Sequence, residues 1–310
     1  MPFAPQILSD DALKSLGVGP RDVVRAIEKA VMDKAEGRLI TTPKSVIQPG
    51  DGRYMMTTLA TGQGPDLTVV KAVTVCPENP ARGLPSITGA IMVLDGQTGE
   101  CLALMDAEWI TGVRTAGLSA VAALRLADPQ ASQISFVGTG VQARSHLALF
   151  AGLFPLRKIR VHGRGQSNID LLCAMAEDMG LEATVCDSPQ EALDADIVVS
   201  SITITYCGAP FLDARRMRPG ALAIITDVAK PWMPEGLSAF DTVVVDDRAQ
   251  EEAMPTPVVP LTQITGDLTD LVARGVPVSA GPRAFMFRGI AAGDYALAAR
   301  LWTACMDRPS

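Results

Sequence analysis

The stretch Ile134-Ser135-Phe136-Val137-Gly138-Thr139-Gly140-Val141-Gln142-Ala143 constrains this fold more than any other. An apolar strand runs into G-x-G-x-x-A and then into a helix. Gly138 allows the tight turn, Gly140 lets backbone approach a pyrophosphate, and Ala143 lets helix and strand pack closely. Thr139, Val141 and Gln142 complete the loop, whose N–H groups open the helix toward an anion. Taken alone, the motif also describes a glycine-rich turn that binds nothing. Here a helix at 142–153 and a second apolar strand at 158–162 follow it, and that context favours a dinucleotide.

The same alternation continues along the chain. Strands are expected at 133–137, 158–162, 182–186, 197–200, 222–226 and 242–245, with helices at 142–153, 167–179 and 189–193. Such a pattern predicts a parallel, doubly wound sheet. Before it, 20–37 reads as an amphipathic helix, with Pro20 in its first turn and Val23, Val24, Ile27, Ala30 and Val31 at helical spacing. Strands follow at 44–48, 53–59, 67–75, 87–94 and 101–105, with a hairpin turn at Asp95-Gly96-Gln97-Thr98-Gly99. One antiparallel sheet is the economical arrangement for them. The Ala- and Leu-rich helix at 107–127 then leads into the second region, and an apolar helix at 294–306 closes the chain. The fold class is therefore α/β: a Rossmann domain over 118–293, and a mixed α+β domain formed by 1–117 with 294–310. A chain of 310 residues suits two such cores.

Composition excludes several function classes. The net charge of −7 argues against a general nucleic-acid binder. No apolar run reaches membrane-spanning length, and the first ten residues lack the basic and apolar regions of a secretory signal. Six scattered cysteines without C-x-x-C read as reduced thiols, so a cytoplasmic protein is expected. With only His146 and His162, neither a histidine zinc site nor a Ser-His-Asp triad is expected.

The end of the second strand bears on cofactor choice. Sites preferring NAD place an acid there, against the ribose 2′-OH. No Asp or Glu lies between Lys158 and Ser167, and Arg164 offers a guanidinium with Ser167 close by. This favours a 2′-phosphate, hence NADP(H), with NAD(H) as the alternative. The competing reading of Arg164 is a solvated loop arginine.

Several segments together carry a resemblance. They are Val70-Lys71-Ala72-Val73, Asn79-Pro80, Gly83-Leu84-Pro85, Leu94-Asp95, Thr98-Gly99-Glu100, Ala103-Leu104-Met105-Asp106, Ile110-Thr111, Arg114-Thr115-Ala116, Gly140-Val141-Gln142-Ala143, Ala195-Asp196-Ile197-Val198 and Arg218-Pro219-Gly220. On these residues the chain resembles the ornithine cyclodeaminase/mu-crystallin family over roughly 43–294. The resemblance implies a homodimer, a first domain that supplies the substrate site and subunit interface, and a Rossmann domain that holds NAD(P). It further implies that Lys71 is the active-site lysine and that Arg114 binds the substrate carboxylate. Lys44 stands where the family usually has a second carboxylate-binding arginine. Thr115 and Thr203 join the loop residues as cofactor candidates. The residue types suit that chemistry. Arg114 can grip a carboxylate bidentately while Lys44 acts as a point charge, and burial of Lys71 in an apolar strand lowers its pKa toward proton transfer.

Departures from the family shape the functional expectation. Cyclodeaminases carry a glutamate on the strand before the lysine, and here 53–59 contains no acid. The family's catalytic aspartate aligns with Ala229, and Asp227 two residues earlier is either its replacement or a structural turn aspartate. Phe287 stands where the family often has a serine, and the adjacent Arg288 either binds a second acidic group or faces solvent. The leading expectation is an NAD(P)H-dependent reductase of a small α-imino acid, or the equivalent amino-acid dehydrogenase. A redox-neutral ornithine cyclodeaminase and a non-catalytic NADP(H)- or small-ligand-binding protein are the alternatives. No metal, nucleic acid or membrane partner is expected.

Overall fold

The computed structural model describes residues 3–308. The chain forms two compact units: one runs to Thr115 and resumes at Gly289, and the other is Ala116–Arg288. The expected boundaries lay at 117/118 and 293/294, and residues 1, 2, 309 and 310 of the expected first domain lie outside the described residues.

The first unit opens with β1 (Gln6–Leu8), α1 (Asp10–Lys14) and α2 (Pro20–Ala35). Helix α2 forms where Pro20 presets the first turn and the Asp22 carboxylate accepts the Gly19 N–H at 3.2 Å. Its Val23, Val24, Ile27, Ala30 and Val31 are all buried, forming one stripe. Strands β2 (Leu39–Thr41), β3 (Ser45–Ile47), β4 (Tyr54–Gly62), β5 (Leu67–Val75), β6 (Ile87–Asp95) and β7 (Cys101–Asp106) follow, and then α3 (Glu108–Leu126). The sheet order is β1-β7-β6-β5-β4-β2, with β3 also on β4. The strands of 44–105 pair antiparallel, but β1 adds to β7 in parallel, so the sheet is mixed. The predicted turn is closed by Asp95, whose Oδ1 accepts the N–H groups of Gln97 and Thr98. Strand β5 alternates as a half-buried strand must: Leu67, Val69, Lys71 and Val73 face inward while Ala72 is exposed. Register then sets Thr58, Lys71, Ile91 and Met105 side by side across four strands.

The second unit contains β8 (Gln133–Val137), α4 (Val141–Phe150), β9 (Lys158–His162), α5 (Gln166–Asp178), β10 (Glu182–Val185), β11 (Ile197–Ser200), β12 (Leu222–Ile225), β13 (Thr242–Val245), α6 (Arg248–Glu252), β14 (Gly266–Asp267), α7 (Leu268–Ala273) and β15 (Arg283–Met286). All its strands pair in parallel, in the order β10-β9-β8-β11-β12-β15-β13-β14. The chain leaves β8 toward one edge and returns on the other side as β11. The switch point thus lies between β8 and β11, where open α/β sheets bind ligands at their strand C-termini. Strands β8, β11, β12 and β13 are buried on both faces, as a covered parallel sheet requires. Asp196 Oδ2 pins the start of β8 by accepting the N–H groups of Ser132 and Gln133, each at 2.9 Å. The helix expected at 189–193 is only a 3₁₀ turn, Glu191–Leu193, because the link into β11 is too short for more. Strand β15 was not expected. It inserts between β12 and β13, a pairing that sequence order does not announce.

The chain then returns to the first unit as α8 (Ala291–Met306), which packs on α2 and on β4, β5 and β6. Every residue from Ala291 to Ala299 is buried, including Asp294.

Candidate active site

Lys71 and Asp294 meet inside the first unit. Lys71 Nζ donates to Asp294 Oδ1 at 2.6 Å, and Arg114 Nε lies 3.1 Å from the same oxygen. Thr58 Oγ1 donates to the other carboxylate oxygen at 2.8 Å. The three charged side chains come from β5, α3 and the first turn of α8, and none is more than 5% exposed. The strand's period of two turns Lys71 inward, and the helix start that carries Asp294 favours a negative charge. Burial pulls the Lys71 ammonium down to about 8, with Arg114 and Lys44 adding to the effect and Asp294 opposing it. Burial pushes the Asp294 carboxyl up, but Lys71, Arg114 and Thr58 together hold it below the ordinary carboxylate range. Removing one partner of such a buried pair costs about 3–5 kcal/mol. Lys44, between β2 and β3, is half-buried, and its charge reaches Lys71.

The second unit carries the other candidates after the C-terminal ends of its interior strands β8, β9, β11 and β12. Gly138 follows β8 at φ 94°, and its N–H donates to His162 O at 2.9 Å. A Cβ there would stand 2.6 Å from Ser201 O, whereas one on Gly140 would meet nothing within 4 Å. Helix α4 starts at Gly140 with no side-chain cap, so its first N–H groups have no side-chain acceptor there. A tight glycine turn, open space beside it and an uncapped helix start together fit a dinucleotide pyrophosphate. Thr139 is buried, Val141 is exposed, and Gln142 Oε1 is enclosed with no hydrogen-bond partner. Beyond β9, Arg164 and Ser167 are exposed, and the Arg164 guanidinium lies 5.8 Å from the centre of the Tyr206 ring. Arg144 sets a second guanidinium beside the loop, donating to Thr139 O at 3.2 Å and Asn168 Oδ1 at 3.3 Å. Thr203 is exposed after β11 and shares a 2.9 Å hydrogen bond with Thr205. In the first unit, Thr115 is buried and its hydroxyl donates to Thr111 O.

Asp227 follows β12 and is 2% exposed. Ser200 Oγ donates to its Oδ1 at 3.1 Å and the Ile202 N–H to its Oδ2 at 3.2 Å. Burial raises this carboxyl to about 7 against those two bonds. The next two residues, Val228 and Ala229, hold φ 57° and 55° without being glycine, a conformation that costs on the order of 1–2 kcal/mol per residue. Arg288 neither faces solvent nor is left for a ligand's acidic group, because its guanidinium is ion-paired with the buried Glu251. Phe287 is buried. Sequence reasoning missed Asp294, Thr58 and Arg144. The signal for Asp294 was one acid in an otherwise apolar helix start, a placement that demands a cationic partner.

One unit is a doubly wound parallel sheet with a dinucleotide-type glycine loop, and the other is a mixed sheet that carries a buried Lys-Asp-Arg cluster. The sequence matches the profile of the ornithine cyclodeaminase/mu-crystallin family over residues 14–230, and the chain belongs to that family. It is 31% identical over 287 residues to Delta(1)-pyrroline-2-carboxylate reductase 1 of Burkholderia multivorans, with 88% of each chain covered. It is 29% identical over 281 residues to the Delta(1)-pyrroline-2-carboxylate/Delta(1)-piperideine-2-carboxylate reductase of Azospirillum brasilense, again with 88% of each covered. Its fold is also that of Thermococcus litoralis Delta(1)-pyrroline-2-carboxylate reductase, solved in complex with NADH and L-proline. That likeness has a TM-score of 0.89 at 24% identity, covering 97% of this chain and 98% of the other. Among the described residues, no helix is long and apolar enough to cross a membrane and no cluster of ligating side chains could hold a metal ion.

Proposed function

We propose that this chain reduces the C=N bond of a small cyclic α-imino acid, of the Δ1-pyrroline-2-carboxylate kind, using NAD(P)H. The observation that carries the reading is the buried cluster in which Lys71, with an ammonium near pH 8, lies beside the guanidinium of Arg114. The names of the Burkholderia and Azospirillum relatives support the substrate class. Arg114 binds the substrate carboxylate, and Lys44 adds a point charge. Lys71 gives the proton that the imine nitrogen gains. Gly138, Thr139, Gly140, Val141 and Gln142 hold the pyrophosphate. Thr203 lines the cofactor site beside them on the second unit, and Thr115 is the cofactor-binding candidate of the first. When bound, the reduced nicotinamide supplies hydride to the α-carbon. The second unit is thus the cofactor domain and the first the substrate domain.

Two finer points belong to the same proposal. The preferred cofactor is NADP(H), because β9 ends without an acid, Arg164 and Ser167 follow it, and Arg144 on α4 reaches Thr139 and Asn168. The working form is a homodimer in the cytoplasm. Ile40, Val46, Ile47 and Leu59 expose apolar surface on the first unit, which a second copy would cover. All six cysteines are free, which suits a reducing compartment.

The test is cofactor absorbance with Δ1-pyrroline-2-carboxylate and its six-membered homologue, with the amino acid product identified. Oxidation of NADPH with formation of proline is expected. No oxidation with any imino acid overturns the reading. Ammonia release from ornithine with no net change in cofactor would then mark a cyclodeaminase, and silence in both assays a ligand-binding protein.

A further inference from the structure

We infer that Asp294 is the positioning residue that keeps Lys71 supplied with its transferable proton and fixes Arg114 beside it. The inference rests on the imine-reductase reading above. One oxygen of this carboxylate is shared by both cations, at 2.6 Å from Lys71 Nζ and 3.1 Å from Arg114 Nε. The other is held by Thr58 at 2.8 Å, so the carboxylate cannot turn away from the pair without losing a buried hydrogen bond. The sheet register sets Thr58 directly beside Lys71, while Asp294 comes down from α8. The charged groups acting on Lys71 are Arg114 from α3, Lys44 from the β2–β3 link and Asp294 from α8, and β6 presents the apolar Ile91. Arg114 and Lys44 both oppose protonation of Lys71, as does its burial, and the Asp294 carboxylate favours it both by charge and by hydrogen bond.

The reaction needs that proton. As the α-carbon accepts hydride, with its electron pair, from the reduced nicotinamide, the imine nitrogen takes a proton from Lys71 Nζ. The cofactor is left oxidised, and the neutral lysine is reprotonated from solvent. Without Asp294, Lys71 would keep the unfavourable influence of burial, Arg114 and Lys44 and lose the carboxylate that favours its charge. Lys71 would then shed its proton at neutral pH and have none to give.

The experiment compares the pH dependence of kcat/KM for imine reduction in the wild-type enzyme and in Asp294→Asn, with NADPH affinity measured by nucleotide fluorescence in both. The expected result is a basic limb displaced by about one pH unit or more to lower pH, with NADPH affinity unchanged. A fall in rate at every pH with the limb in its wild-type place overturns the inference, because it would show Asp294 to be only a pin between α8 and the sheet. If Asp294→Asn is not recovered folded, Thr58→Val loosens the same carboxylate without removing it. A smaller displacement of the same sign supports the inference, and an unmoved limb overturns it. Wild-type enzyme that oxidises no NADPH with any imino acid would sink the functional reading itself. An active wild type with an unmoved variant limb sinks only the role of Asp294.

Discussion

Ser200 and Asp227 are joined by a 3.1 Å hydrogen bond inside the second unit, the serine hydroxyl donating to the carboxylate. Trp232 Nε1 donates to the same hydroxyl oxygen at 2.9 Å, and the Ile202 N–H takes the second carboxylate oxygen. Asp227 therefore ties the end of β11 to the turn after β12. The peptide it restrains, Ser201–Ile202, is the one against which Gly138 packs. Both oxygens are engaged, and this geometry supports an anchoring role over that of proton donor. Its carboxyl, raised by burial to about 7 from an ordinary 3.8, is favoured in its protonated form by the fold. The stability it contributes is therefore fully present below the unfolded value and is lost as pH rises through about 7. The melting temperature is expected to fall as pH rises from about 4 to about 7 and to level off above that, and Asp227→Asn is expected to flatten that fall. Asp227→Ala strands the Ile202 N–H and should cost about 1–3 kcal/mol. A wild-type melting temperature that is level across this range would count against a buried carboxyl titrating there. A loss of turnover in Asp227→Asn by more than about a hundredfold, at unchanged stability, would restore the proton-donor role.

The proton-donor role proposed for Lys71 fixes an expected pH range for the reaction. Reduction consumes a proton, so Lys71 must be protonated when the imine is bound. With its ammonium near 8, activity should hold below that pH and fall above it, about tenfold per pH unit. Oxidation of the cyclic amino acid should show the opposite limb and rise through the same pH. Lys71→Met should lose about a hundredfold or more in kcat while cofactor affinity stays unchanged. A reductive profile that stays flat to well above pH 8 would remove Lys71 from the proton-transfer step.

Much of this arrangement was legible in the sequence where the signal was local. Strand β5 shows its period of two, and Lys71 falls on the inward positions with Val69 and Val73, so its burial followed from the pattern. The glycine loop announced itself between an apolar strand and a helix. What was not legible depends on distant pairing. Asp294 lies 223 residues from Lys71, and nothing at position 71 specifies its partner. Strand β15 has four residues and earns its place by pairing with β12 on one side and β13 on the other. Arg288 looked available to a ligand until the fold brought Glu251 against it. Asp227 read equally well as catalyst or turn residue, because its three partners, Ser200, Ile202 and through them Trp232, gather only when β11 and β12 pair.

Gly138 allows a sharp test of the cofactor loop. At φ 94° a side chain is strained, and a methyl group there would press on the Ser201 carbonyl at 2.6 Å. That carbonyl is backbone and cannot swing aside. Gly138→Ala should therefore push β8 and the start of α4 out of register with the Ser201–Thr203 segment. Nucleotide affinity, measured by fluorescence titration, is expected to fall by about a hundredfold or more. Gly140→Ala meets no neighbour in the protein, so any loss of affinity there reports a clash with the nucleotide rather than with the fold. Wild-type affinity in Gly138→Ala would show that this turn does not form the pyrophosphate site.

The proposed preference for NADP(H) can be tested at Arg164. It is exposed, its head lies near the Tyr206 ring, and no acid occupies the end of β9 to bond a ribose 2′-OH. An arginine in this place gains a charge-assisted contact with a 2′-phosphate and nothing comparable with a hydroxyl. Arg164→Ala should lower kcat/KM for NADPH by about 10- to 100-fold, the value of a hydrogen bond to a charged group, and leave NADH nearly unaffected. Arg144 lies close enough to the loop to retain part of the preference, so Arg144→Ala with Arg164→Ala should reduce NADPH use further than either alone. Equal losses with both cofactors would mean that Arg164 supports the loop rather than reads the phosphate. A wild-type enzyme already faster with NADH would show that the missing acid does not exclude NAD(H), and that the 2′-OH is bonded by Ser167 or by backbone alone.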